Sequence, residues 1–157
     1  MKKLKNNAWL EEGNLGKGEI DGFPYWIAKS PYGGLNGYLY FKKRPVREKG
    51  YDGILAYVPV HGGITYATGE KDGSIVYGFD TAHCDSHDFP RFNSEWIKGQ
   101  LRIMLKGILK AKSVELKYLK AIKQNTKAKY ADMVWRGEEH NNTYNFSILL
   151  NLLSGKL

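Results

Sequence analysis

The hydrophobic period of this chain changes once, near Ser94, and that switch limits the possible folds more than any other feature. Before it, apolar residues alternate. In SIVYGFD (74–80), Ile75, Tyr77 and Phe79 fall on one side of an extended chain, and Val76, Gly78 and Asp80 on the other. After it, Ile97, Leu101, Met104, Leu105, Ile108, Leu109, Leu116, Leu119 and Ile122 recur at helical spacing, while Lys98, Arg102, Lys106 and Lys110 step along another face. The pattern predicts an α+β fold, with an antiparallel sheet of four or five strands in 24–92 packed by a long amphipathic helix over 93–125. An irregular tail with a short terminal helix follows in 126–157, and the 157 residues fit a single domain.

Within the sheet region, 24–43 gives two aromatic-rich strands with a turn formed from Pro31, Gly33, Gly34, Asn36 and Gly37. A charged loop (44–53) precedes ILAYVPV (54–60), GITYAT (63–68), the loop GEKDG (69–73) and SIVYGFD, and a meander is the simplest order. Residues before 24 read as a polar leader. Asn93 or Ser94 caps the helix. At about 1.5 Å per residue, one helix over 95–124 would reach roughly 45 Å and outrun a small sheet. A break near Gly107 or Ala111–Ser113, or a partner subunit in a homo-oligomer, is therefore expected.

No apolar run approaches the roughly 20 residues that a membrane helix needs. The basic start lacks the apolar stretch of a signal peptide, and Cys84 is the only cysteine, so the expected setting is a reducing cytoplasm. The net charge of +8 is concentrated: 98–129 holds ten basic residues and one acid, Glu115, which leaves the remainder near −1. That helix would offer phosphate contacts to a nucleic acid, a docking surface for a host protein, or simply a solvated face.

Three of the four histidines, and Asp72, Asp80, Asp85 and Asp88, fall within 58–90. If Thr68 pairs with Ser74 across a five-residue loop, Tyr66 faces Val76, Gly62 faces Asp80 and His61 faces Thr81. Cross-strand neighbours have Cβ atoms about 4.5–5.5 Å apart, so His61 would lie beside Asp80 and within reach of His83. Gly62 and Gly63 suggest either a close backbone approach by an anionic ligand or a simple bend.

Three kinds of chemistry suit that convergence. His61, Asp80 and His83 are candidate ligands for a divalent metal, although the D-x2-H-x-D-x-HD spacing that adds Asp85, His87 and Asp88 matches no known ligand pattern. The same three residues are candidate catalytic groups for phosphodiester cleavage, which needs one group to take a proton and another to give one. Cys84 is a weaker candidate nucleophile. A pocket without catalysis is the third option, with Gly62, Gly63, Thr65, Tyr66, Thr81 and Tyr38 as ligand-binding residues. Stacking surfaces come from the wider pool of Tyr25, Trp26, Tyr40, Tyr57 and Tyr77.

VPVHGGITYA followed by YGFDTAHCDSHD, with PYGGLNGYLYFKKRPV and GYDG before them, resembles a family of small proteins common in tailed bacteriophages. The likeness spans about residues 24 to 96 and ends at the tryptophan of SEWI; the lysine-rich helix and the tail from 126 lie outside it. The added His87 departs from the family pattern, so only His61, Asp80 and His83 carry over. The resemblance implies a phage accessory protein, of the kind that counters host defence. The function expected is binding and sequestration of an anionic nucleotide-type ligand, such as a cyclic nucleotide signal. Hydrolysis of that signal is the alternative, and inhibition through the basic helix is a third possibility.

Overall fold

A computed structural model describes residues 14–31, 33–82 and 92–124. The fold is α+β, a five-stranded antiparallel sheet packed by one long helix. The chain divides into two compact units, Met1–Ile108 and Leu109–Leu157. The first contains the sheet and the helix as far as Ile108.

The strands are β1 (Asn14–Ile20), β2 (Phe23–Lys29), β3 (Leu35–Phe41), β4 (Tyr66–Gly69) and β5 (Ile75–Phe79), in the spatial order β1-β2-β3-β5-β4. β5 lies between β3 and β4, so the sheet is not a meander. The leader contributes β1, joined to β2 by a two-residue turn in which Asp21 and Gly22 have φ of 50° and 81°. Such turns match the right-handed strand twist, and Asp-Gly is their strongest sequence mark. Asn36 and Gly37 sit inside β3 rather than in a turn. ILAYVPV is not a strand: Ile54–Tyr57 form a single 3₁₀ turn, with Ile54, Leu55, Val58 and Val60 buried.

The helix α1 (Ser94–Gln124) runs unbroken for 31 residues. Asn93 is its cap, its Oδ1 accepting the Trp96 N–H at 3.0 Å and its C=O accepting the Ile97 N–H at 3.0 Å. Gly107 is a close approach instead of a break, because a Cβ there would lie 2.8 Å from Val58 Cγ1. Ile97, Leu101, Met104, Leu105 and Ile108 are buried, and Ile97 and Leu101 reach β3 where Gly37 leaves room. Tyr25, Ile27, Leu39, Phe41, Ile75, Tyr77 and Phe79 share that helix-facing side by strand register. In the second unit, Ala111, Val114 and Glu115 of α1 are buried, while Lys110, Lys112, Lys117 and Lys120 are exposed. Among the described residues, no helix is long and apolar enough to cross a membrane. The expected tail, 126–157, lies outside them.

Candidate functional site

The sheet face turned away from the helix carries the candidate site. Lys17, Trp26, Tyr38, Gly78 and Tyr66 form one row across five strands, set by the pairs Lys17↔Trp26, Trp26↔Tyr38, Tyr38↔Gly78 and Tyr66↔Gly78. The Trp26 and Tyr38 rings stack at 5.8 Å and 21°, and Tyr66 meets Tyr38 edge-on at 5.5 Å. Gly78 makes this possible, since a Cβ on it would be 2.6 Å from Tyr38 Cδ1. Ala28 and Val76 complete the buried cluster, with Tyr40 and Tyr66 packed at its margin.

The next row is polar. Ala28 pairs with Asn36, and continuing the Gly37↔Phe79 register by one rung sets Asn36 opposite Asp80. Asn36 Nδ2 donates to Tyr38 Oη at 3.3 Å. The Asp80 carboxylate accepts the Thr65 hydroxyl at 2.7 Å and the Ala82 N–H at 2.9 Å. Burial, above all, pushes the Tyr38 hydroxyl up to about 12; the Asn36 bond opposes this, while the charges of Tyr66 and Asp80 add to it. Tyr38 therefore stays protonated.

Two polar atoms of this face are buried without any hydrogen-bond partner, Trp26 Nε1 and Asn36 Oδ1. Trp26 is 8% exposed. An orphan of this kind costs about 1–3 kcal/mol. Asn36, Thr65, Tyr66 and Asp80 are half-exposed and form the rim through which a ligand would enter.

The expected hairpin register is two residues out. Tyr66 faces Gly78 and Thr68 faces Val76, because a three-residue loop joins the strands: Glu70 N–H bonds to Ser74 C=O at 2.9 Å, and Gly73 takes φ 87°. The last described rung is the Thr65 N–H to Gly78 C=O bond at 2.9 Å. The pairing that set His61 opposite Thr81 therefore does not form. His61 belongs to a turn closed by the Gly63 N–H to Val60 C=O bond at 2.8 Å. Gly62 and Gly63 there have φ of 69° and 79°, a conformation that suits glycine. Bends explain them better than anion binding, since the Gly63 N–H is already used. The His61 N–H donates to Gln100 Oε1 at 2.9 Å, and its ring packs 5.1 Å from Phe92 and 5.2 Å from Trp96. The helix start holds this histidine.

Thr81 has a structural partner of its own. Fully buried, it donates its hydroxyl to the Leu35 C=O at 3.1 Å and ties the end of β5 to the start of β3. Of the expected ligand residues, Tyr38, Thr65 and Tyr66 gather with Asp80 on the aromatic face. His83, Cys84, Asp85, His87 and Asp88 lie outside the described residues. Among the described residues, no group of three His, Cys, Asp or Glu side chains is placed to hold a metal ion. Asn36 is the group that sequence reasoning misses, and a register count along β3 from Tyr38 would have found it. Compared with protein-family models, curated proteins and solved structures, the chain matches none.

Proposed function

We propose that this protein binds and sequesters a nucleotide-type ligand on the aromatic face of its sheet. The buried, unpartnered Trp26 Nε1–H and Asn36 Oδ1 carry the reading, because together they call for a planar ligand that presents both an acceptor and a donor. A heteroaromatic base fits that demand and stacks favourably on tryptophan and tyrosine. Lys17, exposed and paired with Trp26 across β1 and β2, offers a counter-charge for phosphate at the edge of the same row. Binding is favoured over hydrolysis because, among the described residues, the groups that gather here are aromatic rings, an amide and a carboxylate engaged by Thr65 and Ala82. Hydrolysis, with the Asp80 carboxylate or a histidine moving the proton, is the alternative.

The test is to mix the protein with nucleoside monophosphates and cyclic dinucleotides, follow its melting temperature, and recover the ligand for chromatography. A rise in melting temperature with intact ligand recovered is the expected result. If no nucleotide shifts the transition, the reading fails; if the ligand returns cleaved, sequestration is wrong and hydrolysis replaces it.

A further inference from the structure

The two edges of the sheet are unalike. β1, at one end of the strand order, carries features that keep an edge from pairing: a bulge between Asn14 and Gly16, and the exposed charges of Lys17 and Glu19. β4, at the other end, has none of these between Tyr66 and Gly69. Its sequence, YATG, holds no charge and no proline, and its register with β5 runs without a shift. The Glu70 N–H bond to the Ser74 C=O marks the side of the chain that faces β5. By alternation, Tyr66 and Thr68 also turn their main-chain groups toward β5, while Ala67 and Gly69 turn theirs away from it. Ala67 is half-exposed and Gly69 exposed, and no described residue bonds to their outward groups.

We infer that this edge pairs with the same edge of a second copy of the chain, antiparallel and about a two-fold axis through Thr68. In that register Ala67 of each copy lies opposite Gly69 of the other, so every outward N–H and C=O of the two residues finds a partner. Thr68 faces its own counterpart at the axis, in the closer kind of pair with Cα atoms about 4.5 Å apart, where threonine side chains favour each other. On the aromatic face, Tyr66 of each copy comes opposite Glu70 of the other, and no two like charges meet. The second copy is favoured over a foreign strand because this single register satisfies the whole edge with itself. Charge does not oppose it: residues 98–129, with ten basic residues and one acid, account for the basicity, and the remainder of the chain sums to about −1. The two five-stranded sheets become one, and a ladder this short makes a weak, reversible dimer.

Sedimentation equilibrium of the full chain between about 5 and 500 µM, a span suited to a weak interface, should show a monomer converting to a dimer. Ala67→Pro removes an outward N–H and leaves the bonds to β5 in place, which an edge strand tolerates. Checked for an unchanged far-ultraviolet spectrum, this variant should dimerise about tenfold or more weakly, whereas Ala67→Ser, which keeps the N–H, should match the wild type. A pair of cysteine variants reads the register even where Ala67→Pro does not fold. In a Cys84→Ser background, Thr68→Cys should oxidise readily to a disulfide dimer. Ala67→Cys should not, because its counterpart lies on the diagonal, about 7–8 Å away and beyond the reach of a disulfide. A chain that stays monomeric throughout overturns the inference. So does a dimer that persists undiminished in folded Ala67→Pro, or equal crosslinking of the two cysteine variants.

Discussion

The two faces of the sheet obey opposite rules. Toward the helix, Ile27, Leu39, Tyr77, Phe79, Ile97 and Leu101 are sealed, each at most 1% exposed, and Gly37 is so tightly covered that a Cβ would lie 3.0 Å from both Ile97 and Leu101. Such density leaves no place for a ligand and much to lose on truncation. On the far side, Trp26 and Tyr38 are nearly as buried, yet an indole N–H and an amide oxygen remain unmatched, and the rim of Asn36, Thr65, Tyr66 and Asp80 is half-open. The helix-side face is closed by packing. The other keeps two buried polar atoms without a hydrogen-bond partner, and the proposed binding role rests on that difference.

The largest effect that separates them should come from Leu101→Ala. Leu101 is fully buried against the helix side of the sheet. Its truncation should cost about 2–5 kcal/mol in urea unfolding, the range for a leucine removed from a close-packed core. Nucleotide preference, measured on the fraction still folded, should not change. A shift in base selectivity with Leu101→Ala would mean that the faces are coupled, and the contrast would collapse.

The sequence makes the helix-side face legible and the other face much less so. Period-2 alternation in 74–80 and the helical spacing from Ile97 to Ile108 are direct records of burial, and they return the fold class, β2, β3, β5 and the cap at Asn93. Polar segments hide structure. β1, NLGKGEI, has only Leu15 and Ile20 as large apolar residues, and its one clear signal is the Asp21–Gly22 turn after it. Asn36–Gly37 looks like a turn because both residues favour turns, yet Gly37 is a packing gap in β3 and Asn36 faces the site. The register error has a similar origin, for nothing local distinguishes a three-residue loop from a five-residue one around Asp72–Gly73. A five-residue loop would set His61 opposite Thr81, whereas the three-residue loop shifts the pairing by two.

Alkaline pH offers a second, smaller way to divide the faces. In the folded chain the Tyr38 hydroxyl is raised, chiefly by burial, from its ordinary 10.0 to about 12. The folded state thus keeps a proton that the unfolded chain releases near pH 10. The sign follows from linkage: this contribution is whole below pH 10 and is lost as pH rises through 10 toward 12. Melting temperature should fall more steeply across that window in the wild-type protein than in Tyr38→Phe. Parallel curves for the two proteins would show that Tyr38 does not sense the buried environment described for it.

The smallest effect on stability is expected from Trp26→Phe, and it gives the sharpest contrast with Leu101→Ala. Replacing the indole with a phenyl ring removes part of the stack on Tyr38, which destabilises, and removes the buried unpartnered N–H, which stabilises by about 1–3 kcal/mol. The two terms oppose each other, so urea unfolding should move by no more than about 1 kcal/mol in either direction. Binding should respond differently. The phenyl ring keeps an aromatic surface but has no donor for the base, so affinity for a nucleotide should fall by roughly tenfold while the fold persists. A residue that only packs would give the reverse pattern, with a clear loss of stability and unchanged affinity. If Trp26→Phe destabilises the protein as Leu101→Ala does and leaves nucleotide affinity intact, the far face is a second core whose indole happens to lack a partner.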